Sequence, residues 1–245
     1  MTKRELKIET PDGRADAGLF TVDGAASKGA VIVYMDAFGL RPALDQMAER
    51  IAGLGYAVLV PDTLYRFAPY GPYDARTAFS DEATKAEIIG MIRGTTQAMT
   101  IADTGAFLEA LAEAGHDGPV ATVGYCMGGA RAINAAAHYP NRIVAAASFH
   151  GGGLASDADD SPHRNADRIR GRIYVGCAGV DGSFPPEQSA RLARAFREAE
   201  VDHTIENYVG MAHGWCVPDH GVFDAAGAER HWKRLEMLLT ETLAG

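Results

Sequence analysis

The stretch from Pro119 to Ala137, PVATVGYCMGGARAINAAA, constrains the fold more than any other part of the chain. Pro119 to Gly124 is a short apolar, β-branched run, the composition of a strand buried on both faces, and Ala130 to Ala137 is an alanine-rich helix former. Little more than Gly-Tyr-Cys-Met-Gly-Gly separates them. A chain that turns from strand to helix in so few residues needs neighbours without side chains, because a Cβ would strike the strained backbone or the adjoining helix. Gly124, Gly128 and Gly129 supply them and leave Cys126 at the tip. The pattern G-x-C-x-G has the form of a hydrolase nucleophile elbow with a thiol in place of the hydroxyl. In such a turn the Met127 N–H can donate to a developing oxyanion, and the helix N-terminus favours a thiolate. The same residues also suit a tight turn around a structural cysteine, so the rest of the chain has to decide.

The rest of the chain alternates strand and helix patterns. Leu6–Glu9 and Ala17–Val22 flank the turn signal Pro11-Asp12-Gly13 and predict an antiparallel hairpin at a sheet edge. Val31–Met35 is a buried strand that empties into Asp36-Ala37-Phe38-Gly39, followed by a helix over about 42–54 and a strand over 56–60. Pro61 to Ser80 is too irregular for a helix and too apolar for a linker; it predicts a loop folded over the site, a candidate lid. Helical patterns cover 82–93 and 96–114, interrupted near Gly94. Beyond the cysteine turn come a strand over 143–149 ending in His150-Gly-Gly-Gly and a polar surface excursion over 155–167. A strand starting at 172–175, a helix over about 185–199, a strand over 204–208 and a closing helix within 223–243 complete the series. This alternation predicts a single α/β domain over 1–245, with a mostly parallel central sheet covered by helices on both faces.

A chain of 245 residues buries a substantial core. A net charge of −9, with 23 scattered basic residues, disfavours nucleic acid and anionic membranes as partners. Residues 1–10 alternate charged and apolar types, unlike a signal peptide, and no apolar run approaches a membrane span, so a cytoplasmic location is expected. Three cysteines without paired spacing argue against a disulfide framework or zinc knuckle. Cys177 and Cys216 read as small apolar fillers.

A thiol needs a base, and the base an orienting carboxylate. Elbow hydrolases order these along the chain as nucleophile, acid, histidine. Cys126, Asp181 and His213 follow that order, each in a glycine-bearing turn after a predicted strand. His116, His138, His163, His203, His220 and His231 follow no ligand spacing, and neither metal nor cofactor is expected. Phe38, Tyr65, Tyr125, His150 and Trp215 are candidates for pocket lining, as they are equally for the core.

With DAFG at 36–39, PDTLYR at 61–66, the GYCMGG turn, AGVDGSFPPE around Asp181 and MAHGW around His213, the chain resembles the dienelactone hydrolase family of α/β-hydrolases over nearly its whole length. The resemblance implies the α/β-hydrolase fold, a Cys126-His213-Asp181 triad and an oxyanion hole made by the N–H groups of Ala37 and Met127. It also implies cofactor-independent hydrolysis of small esters or lactones, by a monomer or small homo-oligomer. Two departures stand out. The family usually has glutamate where this chain has Asp36, so contact between that carboxylate and the resting thiol, and its share in activating it, is an open expectation. Dienelactone-cleaving members hold a substrate carboxylate with arginines, one soon after the catalytic histidine, whereas Gly214 to Pro218 contains none; Arg66, Arg76 or Arg93 would have to substitute. The triad pattern is equally compatible with a thioesterase, acyltransferase or peptidase, and an unreactive version with a thiol redox or binding protein.

Overall fold

A computed structural model describes residues 1–24 and 26–243. Strands β1 (Thr2–Thr10) and β2 (Gly13–Thr21) form the expected hairpin, and β2 pairs antiparallel with β4 (Ala57–Pro61). From there the sheet is parallel through β3 (Ala30–Tyr34), β5 (Val120–Tyr125), β6 (Ile143–Phe149), β7 (Arg172–Val180) and β8 (His203–Ala212). The eight strands lie in the order β1-β2-β4-β3-β5-β6-β7-β8. After β3 the chain crosses to β4 on one side and then returns to place β5 on the other. That reversal opens a crevice beyond the carboxyl ends of β3 and β5, where open α/β sheets bind ligands.

Two cores follow from the strand period of two. Val31 and Val33 point to one face, where they pack with Met47 and Ile51 of α1 (Pro42–Gly53) and with Trp232 and Leu235 of α6 (Ala225–Leu243). Ile32 and Tyr34 point to the other, against Phe107 of α3 (Gln97–Glu113), Ile133 of α4 (Met127–His138) and Phe196 of α5 (Pro186–Glu198). Helix α2 (Glu82–Gly94) adds Ile88 and Met91 to the first core. No helix among the described residues is long and apolar enough to cross a membrane.

Element boundaries differ from the sequence-based expectation at several points; β1 and β2 each begin four residues earlier, at Thr2 and Gly13. Strands β7 and β8 each run about four residues further, to Val180 and Ala212, across a register shift between Ala178 and Val180. Val180 and Val209 are largely exposed there, so the apolar pattern that marks a buried strand is missing. The excursion at 155–167 is not purely superficial: Ala155, Ser161, Pro162 and Ala166 are buried, and a short 3-10 helix spans Pro162–Arg168.

Candidate active site

Cys126 sits between β5 and α4 at φ 55° and ψ −121°, a conformation few side-chain-bearing residues adopt. The neighbouring glycines explain how the chain tolerates it. A Cβ on Gly124 would lie 2.0 Å from the Gly128 carbonyl oxygen, and one on Gly128 would lie 2.3 Å from that of Tyr34. Helix α4 therefore starts directly against the end of β3, beside residues 36–38. The N–H groups of Ala37 and Met127 have no acceptor among the described residues.

His213 follows β8, and its Nδ1 lies 2.7 Å from Asp181 Oδ2, beyond the end of β7. Asp181 is held in turn by Ser183, whose N–H and hydroxyl both donate to Oδ1, at 2.8 and 2.6 Å. Burial alone would lower the His213 pKa, but Asp181 and the Cys126 sulfur outweigh it and push it up to about 10. Burial pushes the Asp181 carboxyl upward, and His213 and Ser183 more than reverse this, holding it below its ordinary value. No hydrogen bond of regular geometry yet joins sulfur and imidazole among the described residues; such contacts commonly tighten when substrate arrives.

His150 is closer to this centre than its sequence context suggests. Its backbone is at φ 40°, its ring is buried 4.8 Å from that of His213, and its Nδ1 accepts the Cys126 N–H at 3.1 Å. That bond leaves the proton on Nε2, and burial keeps the ring neutral by driving its pKa well below the ordinary value.

Asp36 does something other than meet the thiol. Its carboxylate, fully buried, takes Arg41 Nη1 at 2.7 Å and Nη2 at 2.8 Å, the Phe38 N–H at 3.1 Å and His220 Nε2 at 3.0 Å. Burial opposes its charge, but His220 and Arg41 hold it well below the carboxylate range. A carboxylate so anchored is a poor proton acceptor. Arg41 also reaches Asp219 at 2.6 and 3.0 Å, tying the loop after β3 to the loop after His213. His220, which follows no ligand spacing, is thus a member of this network; it lies 184 positions from Asp36 along the chain, and no sequence signal could have placed it.

The aromatic candidates divide. Phe38 lies between Phe79, 5.5 Å away, and His220, so the 61–80 loop does pack over the loop after β3; Tyr70 rests against Gly39 and donates to Asp62. Trp215 is fully buried between Tyr208 and His150. Tyr65 and Tyr125 direct their hydroxyls elsewhere, although the Tyr125 ring lies 6.0 Å from that of His150. The Tyr65 hydroxyl bonds Asp103 with its ring against the β1–β2 turn, whereas Tyr125 stacks on Phe149 and bonds His231 within the core. Arg66 is taken by Asp12 and Asp103.

The model of the "Dienelactone hydrolase family" matches residues 16–243. The chain belongs to that family. Its members' α/β-hydrolase fold is the one described above, and this dienelactone hydrolase family protein is a hydrolase. It is 33% identical to a carboxymethylenebutenolidase of Pseudomonas sp. over 108 residues, 44% of each chain. It is 25% identical to a carboxymethylenebutenolidase homolog of Xenopus tropicalis over 193 residues, 76% of this chain and 70% of the other. Among solved structures, a dienelactone hydrolase-like promiscuous phosphotriesterase from metagenomic libraries superposes with a TM-score of 0.79 at 25% identity, covering 99% of both chains.

Proposed function

We propose that this protein hydrolyses small esters or lactones through Cys126, without a cofactor. The observation that carries this is the Asp181–His213 pair, 2.7 Å apart, beside a cysteine held at φ 55° where a helix begins. A base whose pKa is raised to about 10 by a carboxylate and a sulfur is suited to take the thiol proton as Cys126 attacks.

In the first half-reaction the thiolate attacks the carbonyl carbon. A C–S bond forms, and the carbonyl oxygen takes the negative charge between the N–H groups of Ala37 and Met127. Each such donor contributes about 3 kcal/mol in a dry site. Collapse of this intermediate breaks the C–O bond, and the leaving alkoxide takes the proton from His213. In the second half-reaction His213 deprotonates a water that attacks the thioester; the acid departs and the thiolate–imidazolium pair is restored. Asp181 fixes the imidazole tautomer throughout. Arg41 and Arg66 are engaged by carboxylates and so are not free to hold a substrate carboxylate, whereas Arg76 and Arg93 make no ion pair among the described residues.

Turnover of short p-nitrophenyl esters by wild type, Cys126→Ala and His213→Ala tests this. Wild type should turn over and both variants should fall to the uncatalysed rate. Equal rates in all three would remove Cys126 from the chemistry and favour a thiol binding or redox protein instead.

A further inference from the structure

Helix α4 carries one charged side chain at its buried end, Arg131, with 3% of its surface exposed. Helical side chains lean toward the N-terminus, and this guanidinium reaches back to the first turn. Its Nη1 donates to the Met127 carbonyl at 2.9 Å, its Nη2 to the Thr95 carbonyl at 2.9 Å and its Nε to the Thr100 hydroxyl at 3.0 Å. All three partners are neutral, and no carboxylate lies within ion-pair distance among the described residues.

That placement is electrostatically unfavourable twice over. A buried charge normally has a counter-ion, and a cation at a helix N-terminus faces the positive end of the helix dipole. Burial lowers the Arg131 pKa only to about 10, so the cation persists at neutral pH.

The charged and titratable groups on the surrounding elements leave one candidate for the missing negative charge. On α3, Asp103 is already held twice by Arg66. On β3, Tyr34 is buried against Thr104 with its pKa raised, and stays neutral. Asp160, in the loop after β6, is exposed to solvent. Beyond the nucleophile, Asp36 is neutralised by Arg41 and His220, Asp181 pairs with His213, and His150 is uncharged. The Cys126 sulfur, one residue before the carbonyl that Arg131 grips, is the group left.

We infer that Arg131 is a positioning residue for the reaction, an unpaired buried cation whose counter-charge is the Cys126 thiolate and then the oxyanion that forms from its attack. This rests on the assignment of Cys126 as the nucleophile. Its cost to the fold is balanced by negative charge that appears only when the site is armed.

The test is the pH dependence of iodoacetamide alkylation at Cys126, followed by peptide mass spectrometry in wild type, Arg131→Met and Arg131→Lys. Loss of the charge in Arg131→Met should move the midpoint up by about one pH unit, so that alkylation below the midpoint is about ten-fold slower. Arg131→Lys keeps the charge and should restore most of the shift, although both variants lose thermal stability. Arg131→Gln, neutral but still able to donate to Met127, gives the same reading if the methionine variant does not fold. Unchanged midpoints in the neutral variants would overturn the inference and leave Arg131 a structural staple. Ester turnover keeps the two assignments apart: Cys126→Ala as active as wild type refutes the nucleophile, whereas an inactive Cys126→Ala with unshifted Arg131→Met refutes only the role of Arg131.

Discussion

Replacing Arg41 with methionine probes how the candidate oxyanion loop is held. The change removes two hydrogen bonds to Asp36, at 2.7 and 2.8 Å, and two to Asp219, at 2.6 and 3.0 Å. Asp219 is partly exposed and recovers solvation, but Asp36 is fully buried and keeps only His220 and the Phe38 N–H. Breaking a buried pair from one side costs about 3–5 kcal/mol; the two surviving bonds place this case near the lower end. At about 2–4 °C per kcal/mol for a chain of this size, Tm should fall by about 6–12 °C. The pH dependence follows from the sign of the shift. In wild type the depressed Asp36 carboxyl stabilises the fold above its unfolded pKa of about 3.9, and that contribution is lost as pH falls through the folded value. Without Arg41, burial pushes the carboxyl up, so the deficit is largest at pH 7 and narrows toward pH 4 as protonation relieves it. Differential scanning calorimetry across that range reads both, and Asp36→Asn combined with Arg41→Met should regain at least half the loss by removing the stranded charge. A Tm within 2 °C of wild type at pH 7, or a deficit that widens on acidification, would refute the reasoning.

Asp181→Asn should lower kcat by about 10²–10⁴-fold with the fold intact, and bring the His213 titration, followed by NMR, down from about 10. Because that pKa is raised, the ionised His213 stabilises the fold below its unfolded value of about 6.5, and the contribution disappears as pH rises toward 10; the Tm of wild type relative to His213→Ala should follow that course. Gly124→Ala puts a Cβ 2.0 Å from the Gly128 carbonyl and should destabilise by about 3 kcal/mol or abolish soluble expression. Gly90→Ala, in an open position on α2, should instead raise stability by about 0.5–1 kcal/mol in urea unfolding.

Much of this architecture is written in local sequence. The continuous apolar runs of β3 and β5 and the glycines around Cys126 are short-range signals, because buried strands and steep turns each restrict residue type on the spot. The Cys126, Asp181 and His213 order was legible for the same reason, each lying in a turn after a recognisable strand. Long-range pairing was not. Asp36 attracts attention by its position after β3, but its partners depend on where Arg41 and His220 arrive in the folded chain. His150 shows glycines on its C-terminal side, and nothing in that context reports that its ring accepts the Cys126 N–H. Tyr125 adjoins Cys126 in sequence yet its hydroxyl bonds His231 in the core, because neighbouring side chains diverge along a strand. Arg131 left a faint trace: a lone charge in a run of glycine and alanine on a helix with no polar face.

The central claim, that sulfur carries the acyl group, is tested most directly by intact-protein and peptide mass spectrometry of enzyme quenched in acid during turnover of p-nitrophenyl acetate. An acetyl group on the peptide containing Cys126, absent from Cys126→Ala and short-lived in wild type compared with His213→Ala challenged with a more reactive acetyl donor, is the predicted result. Acetylation confined to another residue, or steady turnover by Cys126→Ala, would contradict it.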